Sequence, residues 1–235
     1  MSGRTAALIP AAGRGERLGP GAPKALRDIG GVPMLVHAVK AIASCPAVSI
    51  VIVAAPAESV DAVTALLGQQ DFPAEVHVVA GGDTRVESVA RALINLPDDV
   101  DVVLVHDAAR PLVPEEVVAS VVAAVRAGHD AVVPALPMTD TVKSVDGNED
   151  VVATLDRSSL RSIQTPQGFR REILQRAHAI ADDEGVTDDA GMVEALGVTV
   201  HVVPGHEEAL KVTRPFDVVV AEAILAKRRS YGALG

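Results

Sequence analysis

The sequence predicts an α/β fold: a three-layer, Rossmann-like, mainly parallel twisted sheet with helices on both faces, plus a protruding β-hairpin arm for dimerisation. Three observations predict it. The first 136 residues alternate short β-branched runs with helical patterns, an order that gives βαβ units with right-handed crossovers. The runs are apolar throughout, as strands covered on both faces are. After Pro137 the rhythm breaks into two short extended runs around Asp146-Gly147-Asn148-Glu149-Asp150, a hairpin signature.

Taken in order, Thr5–Ile9 reads as a strand that opens into a loop of small residues, followed by a helix over Met34–Ala43. Strand Ser49–Ala54, helix Val60–Leu67, strand Glu75–Val79 and helix Thr84–Leu96 come next. Strand Val102–His106 then precedes helix Glu115–Arg126, whose Pro114-Glu115-Glu116 start suits a first turn. Strand Ala131–Ala135 closes the alternating region. The arm, residues 138–158, pairs Met138–Val145 with Val151–Leu155. Two strands have little core of their own, so the arm should pack against something else, most simply a second subunit. Beyond it we read a strand near Ser162–Gln164, helices near Arg171–Ala181 and Asp188–Leu196, strands near Val198–Val203 and Leu210–Val212, and a last helix over Pro215–Lys227. With no repeat and no low-complexity linker, residues 1–235 read as a single domain with an arm.

Composition narrows the function. The chain is 49% hydrophobic and 22% charged, an ordinary globular balance. No apolar run reaches the roughly 18–20 residues that span a bilayer, and the N-terminus lacks a signal-peptide pattern. Cys45 is the only cysteine, which excludes an intrachain disulfide and a cysteine-based zinc cluster. Together these point to the cytoplasm, with no membrane partner. A net charge of −10 and only four aromatic residues argue against nucleic-acid binding.

The loop Pro10-Ala11-Ala12-Gly13-Arg14-Gly15-Glu16-Arg17-Leu18-Gly19, closing on Pro23-Lys24, carries the strongest local signal. Gly13 and Gly15 leave backbone N–H groups free to approach an anion, and consecutive N–H groups form a phosphate nest. Residues 1–24 hold four basic side chains against Glu16, about +3 in an acidic protein. A phosphorylated small molecule is the expected ligand. The loop is no P-loop, because Ala25 follows Lys24 where a Ser or Thr should meet Mg²⁺. It is no dinucleotide fingerprint either: Leu18 replaces the third glycine, and the second strand lacks an acidic end. Ligands of such sheets bind beyond the carboxyl ends of the strands, so loops 10–24, 80–88 and 106–111 should line one crevice.

Those loops carry a resemblance. The pattern around Pro10–Arg17 with Pro23-Lys24, then Gly81-Gly82-Asp83-Thr84-Arg85-Val86-Glu87-Ser88-Val89 and Val105-His106-Asp107-Ala108-Ala109-Arg110-Pro111, resembles the sugar-phosphate nucleotidyltransferases. Asp140-Thr141-Val142-Lys143, Asp156-Arg157, Gln164-Thr165-Pro166-Gln167, Thr187-Asp188-Asp189-Ala190 and Lys211-Val212-Thr213-Arg214-Pro215 narrow it. Together they resemble the 2-C-methyl-D-erythritol 4-phosphate cytidylyltransferases of the non-mevalonate isoprenoid pathway.

The resemblance implies transfer of CMP from CTP to methylerythritol 4-phosphate, with release of pyrophosphate. An anionic phosphate oxygen needs no general base; the barrier is electrostatic, and fixed cations with Mg²⁺ lower it. By resemblance, Arg17 and Lys24 stabilise the transition state at the α-phosphate, and Ala11, Ala12 and Gly13 cradle the nucleotide. Gly82, Asp83 and Ser88 take its cytosine and ribose side, while Asp107 meets the sugar alcohol. Thr141 and Arg157 reach the partner subunit's site from the arm, Arg157 and Lys211 hold the acceptor phosphate, and Thr165 touches a substrate hydroxyl. A homodimer is therefore implied, with Mg²⁺ bound mainly through CTP and no metal ligand assigned. Plainer readings stand beside these: Asp83 as a helix N-cap, Arg157 in an arm-to-core ion pair, and His106 as a packed strand end rather than a base. Arg14 and Arg110 stay open, and Glu87 receives no role. Ribitol 5-phosphate is the alternative acceptor, and a nucleotide-binding protein without turnover is a third reading.

Overall fold

The computed structural model describes residues 3–13, 24–180 and 187–232. Its strands are β1 (Arg4–Pro10), β2 (Asp28–Ile29), β3 (Val32–Pro33), β4 (Ile50–Ala55), β5 (Glu75–Ala80), β6 (Val100–Val105) and β7 (Ala131–Pro137). After these come β8 (Lys143–Val145), β9 (Val151–Thr154), β10 (Arg161–Ile163), β11 (Gln167–Arg170) and β12 (Val200–Pro204). The helices are α1 (Met34–Ala43), α2 (Val60–Gly68), α3 (Arg85–Ile94), α4 (Glu115–Arg126), α5 (Arg171–Ile180), α6 (Asp189–Ala195) and α7 (Pro215–Gly232).

One eight-stranded sheet organises the rest. β5, β4, β1 and β6 lie side by side in parallel. β11 then joins β6 to β7, antiparallel to both. β12 runs parallel to β7 on its far side, since Ala131 faces Phe169 of β11 and Val200 of β12. β10 continues β11's side of β7, because Ala135 faces both Ile163 and Pro204. Period-two alternation separates the layers. Ala7 and Ile9 face α1, α2 and α4, burying Leu35, Val39, Val63, Leu67, Val118 and Val121. Ala6 and Leu8 face α3, α5 and α6, burying Val89, Leu93, Leu174 and Met192. α7 packs apart from both layers, against Ile29, Leu112 and Val212.

The chain runs outward from β1 to β4 and β5, then returns to β6 on β1's other side. This reversal opens a crevice above the carboxyl ends of β1, β4 and β6. The three loops expected to share a crevice leave from β1, β5 and β6.

Four sequence expectations need correction. β11 was not foreseen: Gln167-Gly168-Phe169-Arg170 lacks a β-branched run, yet it occupies the middle of the sheet. Gly168 permits this, because an added Cβ would come within 2.5 Å of Val121 Cγ1 on α4. Leu210–Val212 is not a strand; Val212 N–H reaches Ala109 O at 2.7 Å, but the segment lies beside a loop rather than a strand. The β2–β3 hairpin was also missed, its strands being two residues each. Thr84, not Asp83, caps α3, its hydroxyl accepting the Glu87 N–H. The arm hairpin is present as a separate two-stranded sheet, with its ladder confined to β8 and β9. Among the described residues, no helix is long and apolar enough to cross a membrane.

Candidate active site

Two loops build the first half of the crevice. After β1, Ala11 N–H donates to Ala54 O at 2.8 Å, and after β5, Gly81 N–H donates to Ala55 O at 2.7 Å. Both loops are thus tied to the end of β4. The β5 loop is tightly wound. A Cβ on Gly82 would collide with the Glu87 side chain, and one on Gly81 would meet Ala12 and Ser88. Glu87 therefore has a role after all. Its N–H caps on Thr84 while its carboxylate accepts the Asp83 N–H at 2.7 Å, a capping-box arrangement displaced by one residue. Ser88 Oγ accepts from Gly82 N–H at 3.1 Å and donates to Thr84 O at 2.9 Å. The Arg91 guanidinium closes the loop on Gly81 O at 2.6 Å.

These loops enclose a cavity of about 270 Å³ lined by Ala11, Ala12, Gly13, Gly82, Asp83 and Ser88 together with Ala25, Asp107 and Lys211. All six of the first group were expected to hold a nucleotide. Gly13 is exposed, and a Cβ there would meet nothing within 4 Å. Gly15 and Arg17, with Arg14, lie outside the described residues. Lys24 opens the short turn Lys24–Leu26. Its neighbour Ala25 lines the cavity, and the Lys24 side chain lies outside the described set.

The second half is built around Asp107, at the carboxyl end of β6. Lys211 Nζ lies 2.7 Å from its Oδ2, and Arg85 Nε lies 3.5 Å from its Oδ1. Burial opposes the charge on Asp107, but Arg85 and Lys211 outweigh it and hold the carboxyl well below the usual carboxylate range. Arg85 is anchored from behind. Its Nη1 lies 2.6 Å from Oδ2 of the fully buried Asp189, whose Oδ1 pairs with His178 Nε2 at 2.9 Å. Lys211, Asp107, Arg85 and Asp189 thus form one chain of alternating charges, which His178 of α5 ends by pairing with Asp189.

Beneath Asp107 lies a neutral support. Thr165 Oγ1 accepts the Asp107 N–H at 3.0 Å and meets His106 Nδ1 at 3.1 Å. His106 Nε2 faces the Arg110 carbonyl at 3.0 Å, so this nitrogen carries the proton and Nδ1 accepts from Thr165. Burial pushes the imidazole down to about 4, which keeps it neutral. His106 is thus a packed strand-end residue, and the Thr165 hydroxyl has only acceptor capacity left for a substrate. Arg110, open in the sequence, ties loops together by donating to Ala209 O at 2.7 Å and Ile163 O at 3.2 Å.

A second cavity, about 430 Å³, is lined by Thr165, Arg110, Gln164 and Asp188 and shares Arg85, Asp107 and Lys211 with the first. Thr141 and Arg157 line neither cavity. Both sit exposed on the arm, where Arg157 Nη1 donates to Thr139 O at 2.5 Å. Asp156 caps its own turn at Ser158 N–H, 3.0 Å away. Sequence reasoning missed Arg85, His178 and Asp189 as a unit. Arg85 and Asp189 each stand in a motif quoted for the resemblance, but nothing local to either joins them to each other or to His178.

Comparison with known proteins identifies the family. The sequence profile of the family described as "IspD: 2-C-methyl-D-erythritol 4-phosphate cytidylyltransferase" matches residues 5–227. A protein of that name from Streptomyces coelicolor is 58% identical over 234 residues, covering 96% of this chain and 86% of its own. One from Acidobacterium capsulatum is 42% identical over 97% of this chain and 99% of its own. The crystal structure of the Thermus thermophilus protein of the same name superposes with a TM-score of 0.74 at 36% identity, covering 95% of this chain and 98% of that one. The 4-diphosphocytidyl-2C-methyl-D-erythritol synthase of Anaerococcus prevotii gives 0.82 at 28%, over 96% and 100%. By its sequence, its sheet order and the loops that line its crevice, this chain belongs to the 2-C-methyl-D-erythritol 4-phosphate cytidylyltransferase family.

Proposed function

We propose that the two adjoining cavities are the nucleotide and acceptor halves of one cytidylyltransferase site. CTP occupies the first, 2-C-methyl-D-erythritol 4-phosphate the second, and the acceptor phosphate attacks the CTP α-phosphate in line. The observation that carries this reading is the shared wall of Arg85, Asp107 and Lys211, where two cavities of different lining meet.

Backbone at Ala11, Ala12 and Gly13, with Gly15 beyond the described residues, cradles the triphosphate; Gly82 and Asp83 flank the cytidine. Ser88 acts on that side by holding the Gly82 loop. Arg17 and Lys24 stabilise the charge that grows on the α-phosphate and leaving pyrophosphate. The nucleophile is already anionic, so His106, neutral and fully hydrogen-bonded, is not asked to serve as a base. Asp107 accepts from acceptor hydroxyls, as does the remaining lone pair of Thr165. Lys211 takes the acceptor phosphate.

Among the described residues, no three His, Cys, Asp or Glu side chains converge to hold a metal. Asp83 and Asp107 are the carboxylates lining the first cavity. This donor set suits Mg²⁺ carried by the triphosphate, a cation that favours phosphates, water and one or two carboxylates. When bound, it would neutralise phosphate charge.

The arm exposes Val145, Val151, Val152 and Leu155, and its Thr141 and Arg157 line neither cavity of their own chain. These facts support a homodimer in which each arm completes the partner's acceptor half, Arg157 forking onto the phosphate. On this reading residues 1–235 act as one nucleotidyltransferase domain in the cytoplasm.

Incubated with CTP, Mg²⁺ and methylerythritol 4-phosphate, the purified protein should release pyrophosphate, and ribitol 5-phosphate should be the poorer acceptor. Faster turnover of ribitol 5-phosphate would reassign the substrate. No pyrophosphate from either would sink the reading.

A further inference from the structure

Asp107 and Lys211 are assigned opposite tasks by the proposed reaction, yet they are paired to each other at 2.7 Å. Lys211 has to turn toward an incoming phosphate, and Asp107 has to offer its oxygens to acceptor hydroxyls. If Lys211 turned away with nothing in its place, a largely buried carboxylate would be left under-compensated, an expensive arrangement. Among the described residues, one other cation stands within ion-pair range of Asp107, and that is Arg85. Arg110 acts on Asp107 only from beyond ion-pair range, with its Nη1 and Nη2 held by the Ala209 and Ile163 carbonyls and its buried Nε without a partner among the described residues.

The geometry around Arg85 suits the substitution. Its tight contact, 2.6 Å, is to Asp189, while its contact to Asp107 is a loose 3.5 Å with room to shorten. Asp189 is fully buried and held in turn by His178. Arg85 is therefore held at its far edge by a close ion pair and at its near edge by a single long Nε–H···Oδ1 hydrogen bond. A guanidinium can serve two carboxylates in this way because its donors point along divergent directions; an ammonium at the end of a lysine cannot hold both in fixed geometry.

We propose that Arg85 is a positioning residue for the acceptor. It takes over the charge of Asp107 as Lys211 transfers from Asp107 to the acceptor phosphate, and so holds the Asp107 carboxylate ionised and aimed at the acceptor hydroxyls. The inference rests on the assignment of the second cavity to the acceptor. It predicts an effect confined to one substrate, because the cytidine-side loop is held independently of Arg85 by Glu87, Ser88 and Arg91.

Arg85→Lys is the primary variant, since it leaves a cation beside Asp189 but cannot fork to Asp107. Its KM for the acceptor should rise about tenfold or more, the scale of a lost hydrogen bond to a charged group. Its KM for CTP and its Tm should stay near wild type, and kcat should change far less than the acceptor KM. In an Asp107→Asn background the same substitution should add nothing further, because Arg85 acts through Asp107. Should Arg85→Lys misfold, the double variant Arg85→Ala with Asp189→Asn removes the buried charge along with its partner and carries the same kinetic test. An unchanged acceptor KM in a folded variant overturns the proposal. So does a rise in both KM values alongside a fall in Tm, which would make Arg85 purely structural. Absence of turnover in the wild-type enzyme would instead overturn the assignment of the reaction.

Discussion

At the residue scale, His106 shows how a site can be built on a group that must stay neutral. Its two ring nitrogens are committed to Thr165 and Arg110, and burial holds its pKa at about 4. An unfolded histidine binds its proton near 6.5, so between these values the unfolded chain holds more protons than the folded one. The stabilisation is complete above about pH 6.5 and is lost as pH falls toward 4, on the order of 3 kcal/mol over the full window. Denaturant melts at pH 7, 5.5 and 4.5 should show this slope in the wild type and a flatter one in His106→Asn; parallel slopes would mean that other groups carry it. The contrast with Arg85 shows what a sequence can say about single residues. The place of Asp107 was legible because a residue at a strand's carboxyl end faces the crevice, and it does line both cavities. Arg85 was not, because its meaning comes from Asp189 and His178, about a hundred positions away and brought to it only by α5 and α6 packing on the same sheet face.

At the scale of elements, the β5–α3 connection is a rigid part held by its own backbone. Gly82 lies so close to Glu87 that no side chain fits, and the Glu87 carboxylate is occupied by the Asp83 N–H. Gly82→Ala should therefore cost about 1–3 kcal/mol, the usual scale of overpacking, and should weaken CTP more than the acceptor. Thermal melts and separate substrate titrations would check this; a variant with unchanged Tm and CTP affinity would show that the loop yields. The helices and parallel strands were legible because their apolar periodicity is long and unbroken: α1 and α4 begin and end where the sequence places them. β11 and the Leu210–Val212 segment were not. Local composition disfavours Gln-Gly-Phe-Arg as a strand and favours Leu-Lys-Val, and tertiary context reverses both, through a vacant place beside β6 and the absence of any strand beside residue 211.

At the scale of the whole molecule, the proposed exchange of arms makes a specific prediction about mixtures. In that proposal Lys24 belongs to one chain's nucleotide half and Arg157 to the other chain's acceptor half. Lys24→Ala alone should lower kcat by roughly 10²–10³-fold, and Arg157→Ala alone should be similarly weak in the acceptor's KM. Refolded together in equal amounts, they should recover about a quarter of wild-type activity, because half of the randomly formed dimers carry one intact site. Recovery no greater than the sum of the two variants would place Arg157 in its own chain's site or outside catalysis. The proposed dimer is also where sequence reading depends most on resemblance, since an exposed hairpin by itself does not name what it touches.

The antiparallel β11 also has a consequence for how the chain is made. β6 is buried between β1 and β11, and β11 follows it by about sixty residues. On a ribosome adding roughly 5–20 residues per second, the Val-Asp-Val-Val-Leu-Val edge stays open for several seconds after β1, β4 and β5 can assemble. An unprotected apolar edge is a template for pairing between chains. The nascent protein is most prone to aggregate in that interval, and it becomes safe only when a four-residue segment with little strand character closes the sheet.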